Sequence, residues 1–195
     1  MLRVNIVGIG PGNPELLTNQ ARQAIEESNI LIGDKRMLAA FGAGKCLFDT
    51  IKSSEITEIC QKADAEKDVV AVLVSGDVGF FSLAKTITGK LADCECRRYC
   101  GISLVYFSQQ LNIAWDDAKI VSMHGRNQNL IAAVAQNSKV FSLTGGEHSP
   151  NQLCLKLCDH GMADVKVYVG ENLSYPEEKI TYGTAAEISK LEFPS

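Results

Sequence analysis

An α/β fold of two lobes is predicted by three observations. Short β-rich runs alternate with helical stretches along the whole chain. One run, Val69 to Val74, is apolar at every position, the pattern of a strand covered on both faces. Glycines recur where the β-rich runs end. Alternation of this kind implies parallel strands joined by helical crossovers, which is the α/β class.

The elements follow in order. Leu2 to Gly8 reads as a strand. Leu16, Leu17, Ala21, Ala24 and Ile25 recur at helical spacing and predict a helix over 16–28. Asn29 to Ile32 and Lys45 to Phe48 are short strands. Ser53 to Lys67 is a polar-faced helix with Ile56, Ile59 and Cys60 inward. After the 69–74 strand come a helix over 80–91, a strand over 95–100 and a helix over 103–111. The polar segment 112–118 carries the only tryptophan, Trp115, and beyond it the alternation restarts. It predicts a boundary between an N-terminal α/β domain, 1–112, and a C-terminal one, 113–195. In the second domain strands are expected at 119–123, 139–143 and 165–169, with helices at 130–136 and 152–159. A short edge strand at 180–182 and a helix near 185–190 complete it.

Composition excludes several classes. Hydrophobic residues make up 46% of the 195 and charged residues 22%, an ordinary globular balance that excludes a mainly disordered chain. Net charge is 19 − 23 = −4. No nucleic-acid partner is expected, because phosphate neutralisation needs a surplus of Lys and Arg. An anionic ligand would have to be met by local basic groups. The longest clean apolar run falls far short of the ~20 residues of a membrane span, so no membrane association and a cytoplasmic location are expected. Seven cysteines, an odd number without an export signal, argue for reduced thiols. Cys94, Cys96 and Cys100, and Cys154 with Cys158, lack the C-x2-C knuckles of zinc and iron–sulfur sites, and no metal is expected. Cys94 and Cys96 alternate on a strand, and Cys154 and Cys158 share a helix face.

Ligands of open α/β sheets bind beyond the carboxyl ends of the strands, and six such ends carry glycines. Gly8-Ile9-Gly10-Pro11-Gly12-Asn13 fails the G-x-G-x-x-G dinucleotide pattern at Asn13. Asp34 could hold a ribose in that reading; otherwise the loop is a rigid connection that shapes a cleft. In Ser75-Gly76-Asp77-Val78-Gly79, Asp77 either accepts hydrogen bonds from a ligand or caps the next helix. In Gly101-Ile102-Ser103, Ser103 is a helix cap, a ligand contact or both, and Val105 excludes a G-x-S-x-G nucleophile elbow. Ser122-Met123-His124-Gly125-Arg126 sets a His and an Arg beside a glycine. His124 could bind a metal, move a proton or bond a carboxylate, and Arg126 could grip a carboxylate with two bonds; an interdomain contact is the plainer alternative. Leu143-Thr144-Gly145-Gly146-Glu147 and Val169-Gly170-Glu171-Asn172 repeat the pattern. His148 and His160 are expected at the surface or as caps. Neither an H-E-x-x-H pair nor a Ser-His-Asp set occurs.

In this order the segments resemble the tetrapyrrole methylase family, which are S-adenosylmethionine-dependent methyltransferases of two α/β lobes. The resembling segments are VGIGPGNPELLT at 7–18, SGDVGFFSLA at 75–84, GIS at 101–103, WDDA at 115–118, SMHGR at 122–126, LTGGEHSP at 143–150 and VGENLSYPEEKI at 169–180. They cover nearly the whole chain, and they look most like the members that methylate carbon C5 of corrin precursors. The resemblance implies S-adenosylmethionine in a cleft between the lobes, with S-adenosylhomocysteine as product. By motif, Ile9, Asp77 with Phe80, and Ser103 with Leu104 would line the cofactor site, and Thr144, Gly170 and Glu171 would close it. The implied substrate is a cobalt-corrinoid with several carboxylates. Arg126 is the leading candidate to grip one, with His124 orienting substrate or assisting proton loss, and Arg97 or Arg98 helping. Val78, Cys100 and Gly145 depart from residues common in the family: proline at the first two, aspartate at the third. A homodimer is implied, as is a separate partner for decarboxylation and C15 methylation, since the chain stops at Ser195. Rival readings are methylation at another ring position, or a non-catalytic corrinoid- or dinucleotide-binding protein.

Overall fold

In the computed structural model, which describes residues 1–193, the chain divides into two units, Met1–Tyr106 and one beginning at Phe107. The first unit is built on five strands: β1 (Arg3–Gly8), β2 (Ile30–Gly33), β3 (Cys46–Asp49), β4 (Val69–Val74) and β5 (Glu95–Tyr99). Their order is β3-β2-β4-β1-β5, and every pair is parallel. The strand period of two sends Val4 and Ile6 to one face and Asn5 and Val7 to the other. Helices α3 (Ser53–Lys62) and α4 (Ala84–Lys90) cover the first face through Ile56, Cys60, Ala84 and Ile87. Helices α1 (Asn19–Glu26) and α2 (Lys35–Phe41) cover the second through Ala21, Ala24, Ile25, Met37 and Leu38. β4 is therefore apolar throughout because neither of its faces meets water. Each fully buried Val or Leu there contributes about 1.5–3 kcal/mol. Asn5, 1% exposed, is the polar exception. Its Nδ2 donates to the Ala24 carbonyl (3.3 Å) and the Ser28 hydroxyl (3.3 Å), fastening β1 to the end of α1.

Several predicted boundaries move. The helix expected over 16–28 is a short 3-10 turn, Pro14–Leu16, followed by α1, because the Thr18 hydroxyl accepts from the Ala21 N–H (3.2 Å) and starts the helix there. Helix α2 was not expected at all. The helix predicted over 53–67 stops at Lys62, beyond which the Asp64 carboxylate accepts from Glu66 N (3.0 Å) in a turn. The helix predicted over 80–91 begins only at Ala84.

The second unit takes in most of α5 (Leu104–Leu111), then β6 (Lys119–Ser122), α6 (Leu130–Gln136), β7 (Val140–Leu143) and α7 (Pro150–Asp159). β6 and β7 pair in parallel through the α6 crossover, as expected. Val121, Met123, Leu130, Ala133 and Leu153 pack together. The next pair departs from the parallel expectation. β8 (Lys166–Glu171) and β9 (Lys179–Thr184) are antiparallel, because the seven residues joining them are too few for a helical crossover. β9 is also longer than the 180–182 strand predicted. Helix α8 (Ala185–Ile188) opens with a capping box: Glu187 N donates to the Thr184 hydroxyl (3.2 Å) and Thr184 N to Glu187 Oε2 (2.7 Å). Among the described residues no helix is long and apolar enough to cross a membrane.

Candidate active site

In the first unit, neighbouring strands β4, β1 and β5 end in Gly76, Gly8–Gly10 and Gly101. Gly10 and Gly76 form an isolated bridge, Gly10 N to Gly76 O at 3.0 Å and Gly76 N to Gly10 O at 2.9 Å. Both have positive φ, +65° and +68°, which only glycine adopts at little cost. Gly101 presses into this bridge. A Cβ on it would stand 2.3 Å from Gly76 O, 2.6 Å from Gly8 O and 2.7 Å from Gly10 N. Three backbones thus meet without intervening side chains at the sheet's carboxyl edge, the end at which open α/β sheets bind ligands.

Asp77 staples these loops. Its Oδ1 accepts from Gly79 N (2.7 Å) and its Oδ2 from Gly101 N (3.1 Å). It does not cap the next helix, whose first residue is seven positions on. Phe80 and Phe81 follow as an edge-to-face pair with ring centroids 5.2 Å apart. Phe81 has φ 52°, a strained conformation for an aromatic residue, and this is why the helix predicted from residue 80 is delayed. Ser103 directly precedes α5, and its Oγ lies 3.0 Å from where a Cβ on Gly76 would stand. Ile9 and Leu104 are buried, 2% and 6% exposed, so their side chains serve the core and what they offer a ligand is backbone. These five predicted residues are brought together.

In the second unit, β6 and β7 end side by side, with Met123 N donating to Leu143 O (2.8 Å). His124 and Arg126, both exposed, therefore share this end with Thr144 and Gly145. Sequence reasoning missed Gln128, whose Oε1 accepts from Ser122 N (2.5 Å) and folds the His124–Asn127 loop back on its strand. It also missed that the His124 ring lies against Gly145, where a Cβ would stand 2.2 Å from Nδ1. Gly170 and Glu171 end β8. A Cβ on Gly170 would meet the Phe107 ring at 2.7 Å, and Phe107 packs edge-on against Phe141 of β7 at 6.2 Å. Glu171 Oε2 is buried with no hydrogen-bond partner, so a donor there would be stabilising.

Other candidates resolve differently. Asp34 Oδ1 accepts from Met37 N (3.0 Å) and is the cap of α2. On β5 the Arg97 guanidinium pairs with Glu95 (2.6 Å), while Arg98 donates to the Thr88 hydroxyl (3.0 Å). His160 caps α7 at its C-terminal end, its Nδ1 2.8 Å from the Lys156 carbonyl. His148 corrects the surface expectation: it is half-buried and bridges to Gly145, with Nδ1 buried and unpartnered. Cys94 and Cys96 pack against the core beside Cys60; burial pushes the Cys60 thiol up to about 12 and the Cys154 thiol to about 11. Among the described residues no group of three His, Cys, Asp or Glu could hold a metal ion.

The chain as a whole has clear counterparts among known proteins. Residues 3–189 match the family model of the Tetrapyrrole (Corrin/Porphyrin) Methylases, and the chain belongs to that family. It is 32% identical to the probable cobalt-precorrin-7 C(5)-methyltransferase of Methanocaldococcus jannaschii, covering 97% of this chain and 93% of that protein. It is 26% identical to the precorrin-6Y C(5,15)-methyltransferase [decarboxylating] of Sinorhizobium sp., covering 94% of this chain but 45% of that protein. The fold is shared with uroporphyrin-III C-methyl transferase from Thermus thermophilus, solved in complex with S-adenyl homocysteine. There the TM-score is 0.76 at 20% identity, covering 98% of this chain and 88% of that one.

Proposed function

We propose that the chain transfers a methyl group from S-adenosylmethionine to C5 of a cobalt-corrinoid precursor in cobalamin synthesis, a reading supported by its likeness to the Methanocaldococcus protein named as a probable cobalt-precorrin-7 C(5)-methyltransferase. The observation that carries this reading is the bare glycine cradle at the ends of β1, β4 and β5 in a chain of this family. The residues present fit the cofactor. The cradle admits close backbone contact, and the Asp77 carboxylate that braces it suits a cationic ligand. S-adenosylmethionine supplies an activated methyl group, and the electron-rich macrocycle is the nucleophile. The protein has to align the two and exclude water, and alignment alone can lower the barrier by about 7–11 kcal/mol.

In this reading Ile9 and Leu104 offer backbone, Phe80 an aromatic wall and Ser103 a hydroxyl. Thr144, Gly170 and Glu171 contribute from the second unit, where the unpartnered Glu171 Oε2 is available to a cofactor hydroxyl or amine. Arg126 grips a corrinoid carboxylate, and His124 orients substrate or accepts the proton that C5 methylation releases. A homodimer accompanies the reading. So does a separate partner for decarboxylation and C15 methylation, functions that the Sinorhizobium relative carries in one longer chain by its name.

Calorimetric titration with S-adenosylmethionine, S-adenosylhomocysteine and, as control, NAD tests the cofactor. Micromolar binding of the first two and none of NAD is expected; binding of NAD alone would overturn the reading. Arg126→Ala is expected to raise KM for the corrinoid with little change in cofactor affinity, and an unchanged KM would remove Arg126 from the substrate site.

A further inference from the structure

We infer that Gly145 is a positioning residue for this reaction: its bare α-carbon is the seat of the His124 ring and decides which edge of the imidazole meets the substrate. The inference rests on the proposed corrin methylation, in which His124 faces the macrocycle.

The geometry is specific to this glycine. A Cβ on Gly145 would stand 2.2 Å from His124 Nδ1, 2.9 Å from Cε1 and 3.3 Å from Cγ. Real Cβ atoms essentially never come within 3.0 Å, so the imidazole occupies volume that any other residue would need. Since Nδ1, Cε1 and Cγ are the nearest atoms, the Nδ1 edge faces the glycine and Nε2 lies on the far side of an exposed residue. The neighbouring glycines differ. Gly125 and Gly146 also have positive φ, both +63°, but a Cβ on either would meet nothing within 4 Å. Their lack of a side chain answers to backbone conformation alone; at Gly145 contact with the ring is added.

Both partners are held. His124 follows Met123, whose N–H is bonded to Leu143 O, and the Gln128 amide closes the loop after it on Ser122 N. Gly145 is bridged to His148 by two mutual bonds of 3.3 Å around a two-residue turn, with Gly146 at its first central position, where positive φ is required. Two strand ends therefore clamp ring and seat at a fixed separation, and a methyl on the seat must move the ring. A side chain with χ1 free to turn samples several rotamers; the bare seat admits the one in which Nδ1 faces Gly145 and Nε2 is the atom offered to substrate.

The test compares wild type with Gly145→Ala, Gly146→Ala and the double variant His124→Ser/Gly145→Ala. With three histidines in the chain, the imidazole resonances are assignable by substitution. Gly145→Ala is expected to shift the His124 ring resonances and leave those of His160 in place. It is also expected to lower kcat/KM for the cobalt-corrinoid about ten-fold or more, since a misplacement of ~1 Å in a positioned group can cost about a hundred-fold. Gly146→Ala also places a side chain at positive φ (+63°, against +151° at Gly145) but its Cβ meets nothing within 4 Å, and it should leave the His124 resonances unmoved. If Gly145→Ala lowers the melting temperature, the double variant should regain the part of the loss that the ring causes, because removing the ring clears the space, while the strain of a side chain at φ +151° stays. Unmoved His124 resonances, a double variant that regains nothing, or near-normal kcat/KM despite a displaced ring would each overturn the inference. An inactive wild type in which Gly145→Ala still moves the ring would overturn the methylation reading and leave the seat standing.

Discussion

Alanine at Gly101 introduces one methyl group at the point where three strand ends meet. Its Cβ would stand at 2.3, 2.6 and 2.7 Å from Gly76 O, Gly8 O and Gly10 N, all backbone atoms with no rotamer to escape into. Two of them, Gly76 O and Gly10 N, are the acceptor and donor of one bond in the Gly10–Gly76 bridge. Relief therefore requires opening that bridge, a loss of two hydrogen bonds at about 0.5–1.5 kcal/mol each. Overpacking adds about 1–3 kcal/mol. The total, about 2–6 kcal/mol, is a large share of the about 5–15 kcal/mol that holds a typical domain. For a chain of this length it corresponds to a fall in melting temperature of about 5–20 °C. Scanning calorimetry reads the fall, and titration with S-adenosylhomocysteine reads the cradle, where at least a ten-fold loss of affinity is expected for about 1.4 kcal/mol of lost binding. Gly89 supplies the opposite sign. It lies in α4 with open space around it, so Gly89→Ala should stabilise by about 0.5–1 kcal/mol through helix propensity. A Gly101→Ala protein that melts with wild type and binds S-adenosylhomocysteine normally would refute the cradle.

Three further outcomes are expected. Asp34→Ala should lower stability by about 1 kcal/mol through loss of the α2 cap, with S-adenosylhomocysteine affinity unchanged in the same titration; a loss of affinity would return Asp34 to the ligand site. The Thr184 backbone N–H and hydroxyl hold the Glu187 carboxyl below its usual 4.5. A carboxyl depressed on folding stabilises above its unfolded value and loses that contribution as pH falls through the folded one. The gap in stability between wild type and Glu187→Gln should thus be constant above pH 4.5 and narrow below it in acid-unfolding curves; a gap that widens in acid would be the wrong sign. In native alkylation followed by mass spectrometry, the exposed Cys46 and Cys100 should label while Cys60 and Cys154, with thiols raised to about 12 and 11, stay unmodified; rapid labelling of Cys60 would contradict its burial.

What was legible in the sequence was local. Val69 to Val74 advertises a doubly covered strand because burial on both faces leaves no reason for polar residues. The glycines after β1, β4 and β5 mark strand ends because positive φ and close approach exclude other residues. What was missed depends on partners distant in sequence. Helix α2 is seven residues long, and its cap, Asp34, stands out in the sequence only as a ribose ligand of a dinucleotide pattern that fails, until the Met37 N–H is seen to donate to its Oδ1. Phe80 to Leu83 looks helical by composition, yet Phe81 turns out of the helical region beside the cradle. Asp77 bonds a backbone N–H that is 24 residues away, and Gly145 seats a ring that is 21 positions before it. The direction of β9 was readable in principle, since seven residues from β8 cannot hold a crossover helix. Extending the alternation of strands and helices to the end of the chain obscures it.

The measurement that tests the central claim most directly is methyl transfer itself. Protein, S-adenosylmethionine carrying a 13C-methyl group and cobalt-precorrin-7 are combined, and the corrinoid is isolated for mass spectrometry and NMR. One labelled methyl per corrinoid, located at C5, with an equal yield of S-adenosylhomocysteine, is the result predicted. A corrinoid recovered unmethylated from protein that binds both ligands, or a label found at another ring carbon, would contradict the claim.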